Sequence, residues 1–441
     1  MVHQLKVLLT SEVTGQLSNV TVWDPESAIG ILTYKGGTTV HHGLSLLAGQ
    51  YILGASPAKP LLHVWALQKR DHMQMKMVCP GRVTALDCTP DGAYCIAAIS
   101  EKVHIWQTCT GHLLTVLSRH YQDVHCLRCT EDGSFFVTGG DDNLVIAWSL
   151  PKVLAESMGP GLQVKPHHVW SNHSLPITDI HIGIGGCLAR VVSSSLDQTC
   201  RMWDVNTGDP LCTFVFDTAI HSVTMDPSEF RLYAGGSNGT IFTVNLFQSP
   251  SSFERHIVTD QSDNSAVQYK GHEKQVTCLC VSLDGNKLYS GSNDSSVKIW
   301  DIFSGQCLKT LPHKGAVTNA FIISTPPGVI NSDLKSTLPI QTFQRHLYSR
   351  GQESSGEQSN DTGTLNVFLT EEDDETVEQD SRYNVLYELA REAGSQNKES
   401  KKTKDEEIQD LKAEINKLKA ANSELYQYAV THILQKESTI T

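Results

Sequence analysis

The chain has 441 residues, 39% of them hydrophobic, and a formal net charge of −13; this suits one large domain with extras, leaves no apolar run long enough to span a membrane, and disfavours nucleic-acid binding through overall charge. The start, MVHQLKVLLTSEV, lacks a basic n-region and a long apolar stretch, so no signal peptide is expected. Twelve cysteines are scattered, several in predicted strands, and read as small buried residues in a reducing compartment rather than a disulfide framework.

In chain order, residues 1–35 give only three strands, KVLLTS (6–11), NVTVWD (19–24) and AIGILTY (28–34). The middle one then recurs as LLHVWA (61–66), KVHIWQ (102–107), LVIAWS (144–149), CRMWDV (200–205), TIFTVN (240–245) and SVKIWD (296–301). The anchors are Trp23, Trp65, Trp106, Trp148, Trp203, Val244 and Trp300, spaced by 42, 41, 42, 55, 41 and 56 residues. The fullest unit is 272–300. There Val276, Cys278 and Cys280 face one way and Thr277, Leu279 and Val281 the other, as in a strand buried on both faces. Turn signals at Leu283–Asn286 and Asn293–Ser295 separate it from two further short strands. A period near 40 residues with four strands per unit and a terminal Trp-Asp marks an all-β fold, a seven-bladed WD-repeat β-propeller. The first blade lacks its innermost strand, and AVTNAFII (316–323) is expected to supply it and close the ring.

Two segments stretch the period, 150–165 and 248–265, both between the third and fourth strands of their blades, the fourth and the sixth. The propeller is expected to occupy 1–325, with Pro326-Pro327-Gly328 at its boundary. An ordered extension follows at 326–350, suited to docking on the propeller or on a partner. An acidic, mostly disordered linker is expected at 351–400, where 381–392 could form a short amphipathic helix, and a coiled-coil helix at 401–437. Its heptad runs Ile408 (a), Leu411 (d), Ile415 (a), Leu418 (d), Asn422 (a), Leu425 (d) and Ala429 (a). β-Branched residues at a with Leu at d favour a parallel homodimer. Glu407 and Glu414 at g face Lys412 and Lys419 at e across such a seam. The alternative is an amphipathic helix packed on the propeller or on another subunit.

WD-repeat proteins carry a hydrogen-bonded tetrad of His, Ser or Thr, Asp and Trp in their regular blades. The matching residues here are His120, Thr138, Asp142 and Trp148; His173, Ser193, Asp197 and Trp203; and His272, Ser290, Asp294 and Trp300. The first and third sets share spacings of 28, 10 and 6, counted from the His, the hydroxyl residue and the Asp to the Trp. These histidines therefore read as structural, the members of a self-satisfying polar chain. The other four blades depart from the pattern.

No other constellation points to chemistry. Cys126 and Cys129 have metal-like spacing but no second pair at finger distance. His41-His42 and His167-His168 stand near turns and read as surface histidines. The Gly-Gly steps never open a helix, as a phosphate loop would, and no GxSxG or kinase set is present. Lys398, Lys401, Lys402 and Lys404 form a loose basic cluster, open to a nuclear-import reading or to that of a solvated helix start. No catalytic residue, cofactor or metal is expected.

The segments LSRHYQDVHCL (117–127), LPITDIHIGIGG (175–186), SSSLDQTCRMWDVNTG (193–208), KGAVTNA (314–320) and NSDLKSTLP (331–339) resemble the WD repeat-containing protein 18 family. The resemblance implies a non-enzymatic scaffold in nucleolar maturation of the large (60S) ribosomal subunit, in rRNA processing and in pre-ribosome transit to the nucleoplasm. It implies a nuclear location, nucleolus and nucleoplasm, with some cytoplasmic. The implied partners are a proline-, glutamate- and leucine-rich RIX-type scaffold protein, a testis-expressed subunit, the midasin AAA ATPase with the pre-60S particle, a SUMO protease and a LAS-type partner. Two other classes remain: a ubiquitin-ligase substrate receptor and a propeller hydrolase. The first would need an adaptor motif, yet none of Trp23-Asp24, Trp203-Asp204 or Trp300-Asp301 is followed by x-Arg. The second would need an acid and a base converging on the central channel.

Overall fold

The computed structural model describes residues 6–13, 20–68, 73–157, 164–247, 253–257, 266–326, 329 and 338–348. The expected linker 351–400 and the coiled-coil positions Ile408, Leu411, Ile415, Leu418, Asn422, Leu425 and Ala429 lie outside the described residues.

Seven sheets, each with an antiparallel four-stranded core and one of them extended by a fifth strand, stand around a central channel as the blades of a β-propeller. Their inner strands are, from blade one to blade seven, Val317–Ser324, Leu44–Leu47, Val83–Cys88, Val124–Cys129, Ile177–Ile182, Ile220–Met225 and Val276–Val281. The anchor residues fall on the third strand of every blade, and Trp65, Trp106, Trp148, Trp203 and Trp300 are fully buried between neighbouring sheets. The second strands are buried on both faces, as in Tyr94–Ile99 and Lys287–Ser292. This is why YCIAAI (94–99) reads as a continuous apolar run rather than a clean alternation.

Blade one is built from both ends of the chain. Strand Val317–Ser324 pairs with Lys6–Glu12, Leu8 opposite Ile322 and Thr10 opposite Ala320. Side chains reinforce the seam: Ser11 Oγ lies 2.7 Å from Thr318 Oγ1, and Asn319 Nδ2 donates to Ser11 Oγ at 3.0 Å and to Val40 O at 2.8 Å. Closure leaves no broken edge between the first and last blades.

The two inserted segments differ from plain loops. Residues 150–165 open with the helix Leu150–Ser157, whose Leu150 and Val153 are buried against blade three. Pro151 sits in the first turn, where its missing N–H costs nothing. Within 248–265, strand Glu254–His256 crosses to the neighbouring blade and pairs parallel with the outer strand Pro210–Val215 of blade five.

Residues 338–348 strap across blades two and three. Leu338 N–H donates to Gln50 Oε1 at 3.0 Å, Gln341 N–H to Thr108 O, Gln344 N–H to Gly111 O and Tyr348 N–H to Leu113 O. Phe343 is buried and stacks on Trp106 with ring centroids 5.3 Å apart. The strap runs so close to Gly111, whose φ is +71°, that a Cβ there would strike the Thr342 carbonyl.

Candidate functional site: the tetrads and the plugged channel

Three blades hold a complete polar chain. In blade four, Trp148 Nε1–H donates to Thr138 Oγ1 (3.2 Å), Thr138 Oγ1 meets His120 Nε2 (2.8 Å), and His120 Nδ1 meets Asp142 (2.9 Å). In blade five Trp203, Ser193, His173 and Asp197 repeat it at 3.0, 2.8 and 2.9 Å. In blade seven Trp300, Ser290, His272 and Asp294 do so at 2.8, 2.7 and 2.7 Å. One proton arrangement satisfies all members: indole N–H to hydroxyl oxygen, hydroxyl O–H to Nε2, Nδ1–H to carboxylate. Each carboxylate also accepts the backbone N–H that follows its histidine, from Tyr121, Ser174 and Glu273.

The electrostatics follow from that network. Burial alone would raise the Asp197 carboxyl, but hydrogen bonds from His173 and Thr199 outweigh it and hold it well below the usual carboxylate range. Asp142 and Asp294 are lowered by the same contest, with burial opposing and hydrogen bonds winning. Burial lowers His272 despite Asp294 beside it. No lone pair on these imidazoles is free to act as a base, so the chains suit rigid support of the blade faces.

Blade one holds a partial version that the spacing did not disclose. Trp23 Nε1–H donates to Thr10 Oγ1 at 2.8 Å, and Thr10 Oγ1 lies 2.9 Å from His313 Nε2. Glu12 takes the role of the capping carboxylate, accepting Lys314 N–H at 2.8 Å and Gly315 N–H at 3.2 Å. In blades two and three the indoles turn to backbone carbonyls instead, Trp65 to Lys35 O and Trp106 to Gln344 O in the strap.

The channel is closed by a plug. The turn at His41-His42 enters it from blade two. His41 Nε2–H donates to Thr277 O in blade seven at 2.7 Å, and His42 Nε2–H to Thr178 O in blade five at 3.1 Å. The surface reading of this pair is therefore corrected: the two rings pack 3.8 Å apart inside the channel, and His42 holds a left-handed backbone, φ 55°. Periodicity did not reveal it because the turn's path into the channel is set by tertiary contacts, including Asn319 to Val40 O. His167 and His168 stay partly exposed on blade four, where His168 Nε2 meets Asn206 O.

Around the plug, the inner strands are stitched to one another by side chains. Thr178 donates to Ile220 O, Thr277 to Val317 O and Ser222 to Val276 O, each from one blade to the next. Two acids in inner strands do the same. Asp87 accepts from Ser45 of blade two and from Cys129 N–H of blade four. Asp179 accepts from Ile180 N–H and from Val223 N–H of blade six, and its carboxyl is raised by burial. Sequence reasoning missed both; a lone Asp within VTALDC and ITDIHI is the signal that could have found them, since an unpaired acid is expensive in a buried strand. His41 and His42 are each lowered to about 3, first by burial and then by each other's or Arg128's charge, so both are neutral at physiological pH.

A cavity of about 640 Å³ opens where the inner strands begin, touched by His41, Thr84, His125, Thr178, His221, Thr277 and Thr318, one from every blade. A second, of about 330 Å³, opens where they end, beside Arg128, Asp179 and His181. The channel is thus two separate mouths rather than a pore. Cys126 and Cys129 lie in the inner strand of blade four, the first buried against Ile177. Among the described residues no three His, Cys, Asp or Glu side chains come together as a metal centre.

Comparison with known proteins fits this geometry. The WD domain, G-beta repeat family matches residues 111–149, 164–204 and 264–301, the three blades with complete tetrads. The chain is 46% identical to WD repeat-containing protein 18 of Mus musculus over 81% of its own length and 82% of the relative's. It is 40% identical to the Danio rerio protein of that name over 98% and 99%. It is also 26% identical to the pre-rRNA-processing protein pro-1 of Caenorhabditis elegans, over 69% of this chain and 58% of that one.

Proposed function

The chain belongs to the WD repeat-containing protein 18 family, and from that premise we propose that it is a non-enzymatic scaffold subunit in rRNA processing and maturation of the large ribosomal subunit. The observation that carries the rRNA step is the likeness to a protein named for pre-rRNA processing, alongside family membership over most of the chain. The geometry supports the scaffold half. The tetrad histidines are spent on structure, the channel is plugged, and the covered edges leave blade faces and grooves for docking. On this reading the protein works in the nucleus with a large proline-, glutamate- and leucine-rich scaffold protein, a testis-expressed subunit and the midasin ATPase on the pre-60S particle. The segment 401–437 would pair it with a second copy; light scattering that finds the full chain monomeric at tens of micromolar, like a 1–400 truncation, removes that pairing.

The test is affinity purification of the tagged full-length chain from nuclear extract, with depletion in parallel. Recovery of pre-60S proteins, and accumulation of large-subunit rRNA precursors on depletion, is the expected result. Recovery of cullin adaptors without ribosomal precursors would move the protein to the substrate-receptor class.

A further inference from the structure

The near-sevenfold repetition places equivalent grooves between successive blades on the face where the inner strands end, and two of them differ in an informative way. Equivalence is fixed by the backbone. Leu67 N–H donates to Gln50 O in blade two as Leu246 N–H does to Phe230 O in blade six, and Thr108 N–H to Ala93 O in blade three as Ile302 N–H does to Asn286 O in blade seven. Gly92 and Gly285 turn at the same point, with φ +74° and +68°, each donating its N–H three residues back at 2.8 Å. The groove between blades two and three is filled by the strap. Gln50 accepts Leu338 N–H, Leu338 lies against Gly92, Thr108 O accepts Gln341 N–H, and Leu338 and Ile340 pack on the core.

The groove between blades six and seven has no such cover among the described residues. Phe230 takes the place of Gln50, and with Phe247, Phe303 and Leu283 it is 52%, 78%, 76% and 52% exposed. These side chains line a cavity of about 520 Å³. They are already ordered against one another: Phe230 and Phe247 meet edge to face at 5.7 Å, and Arg231 lies over Phe303 at 5.8 Å. Scattered exposed apolar residues are ordinary, but a grouped set in a concave site marks a contact surface.

We propose that this groove between blades six and seven docks an extended segment of a separate polypeptide, carrying a Leu-Pro-Ile type of apolar core, seated as Leu338–Gln341 is seated between blades two and three. Its size excludes a second copy held by this face alone. Four partly exposed side chains offer a few hundred Å² at most, short of the roughly 800 Å² per partner of a stable interface. That area suits a short peptide. The groove carries little net charge, Arg231 against Asp226 and Asp284, and Asp284 is paired at 2.9 Å to Lys6, which lies outside the lining, so selection falls on the apolar side chains. The segment comes from another chain because this chain's own Leu338-Pro339-Ile340 is already seated elsewhere.

The probe is a fluorescein-labelled peptide of sequence KSTLPIQT, residues 335–342, titrated by anisotropy into the full-length protein. Saturable binding in the range of about 10–100 μM is expected. A Phe247→Ser/Phe303→Ser variant should weaken it about tenfold or more, as should Leu283→Ser in a separate variant. Tyr121→Ser, at an exposed aromatic on blade four, should leave it unchanged, and all variants should keep the parent melting temperature within about 1–2 °C. Binding that survives the groove substitutions, binding lost equally in Tyr121→Ser, or none at ~0.5 mM overturns the proposal. None of these outcomes depends on rRNA processing, so the two readings fail separately.

Discussion

Asp197 shows how much one carboxylate can hold. It bonds His173, caps Ser174 N–H and takes the Thr199 hydroxyl at 2.6 Å. Asp197→Ala takes the carboxylate from His173 Nδ1–H, leaving it only the Thr199 hydroxyl at 3.3 Å, and should cost about 1–3 kcal/mol. A lowered melting point, with assembly weakened only in proportion, is the expected measurement; full stability with lost assembly would make Asp197 a partner contact. The tetrad carboxylates also set an acid limit. Their folded pKa values are depressed, so their contribution is complete above the ordinary carboxylate range, near 4, and is lost as pH falls below it. His41 and His42 act earlier. Held near 3 in the fold against about 6.5 unfolded, they refuse protons that the unfolded chain accepts. Stability should therefore decline from about pH 6.5 downward, by up to ~1.4 kcal/mol per pH unit for each imidazole. A His41→Gln/His42→Asn variant should flatten the melting temperature between pH 6 and 4. An unchanged slope there would mean that the plug opens to water.

At the scale of the element, what was legible depended on how local the partners are. The tetrad spacings lie within one repeat, and those twelve side chains do meet in three chains of four. The partial set of blade one escaped because Thr10 and His313 stand 303 residues apart, and no periodicity links them. The helix Leu150–Ser157 was hidden by its position in an irregular insert, although its residues are good helix formers after Pro151. The strap was visible only as scattered apolar residues, because Phe343 acquires meaning from Trp106, far away in sequence. That contact is testable. Phe343→Ala removes a buried ring and should cost about 3–5 kcal/mol of strap attachment. It should expose Trp106, seen as red-shifted tryptophan emission and faster amide exchange at Gln341, Gln344 and Tyr348. Protection retained at these three amides would show that the backbone bonds suffice.

For the whole molecule, the decisive element is the closing strand. The repeat grid and the missing inner strand of blade one together foretold that 316–323 would pair with the N-terminus, and Val317–Ser324 does pair with Lys6–Glu12. Seven hydrophobic clusters, one at each interface between adjacent blades, run unbroken around the closed ring, so it should melt as one cooperative unit. Removing residues 314–441 takes away the strand whose Ala320 and Ile322 face Thr10 and Leu8, together with Thr318 and Asn319 from the seam. It leaves Lys6–Glu12 as an unpaired, buried-type edge, the kind that recruits other chains. It also removes the strap, baring Trp106. Removing only 350–441 spares both. The longer truncation should aggregate or melt far below the parent in differential scanning calorimetry, and the shorter should melt in one transition close to the parent ring. Identical transitions from the two would mean that blade seven and the N-terminal strands hold the ring without the closing strand.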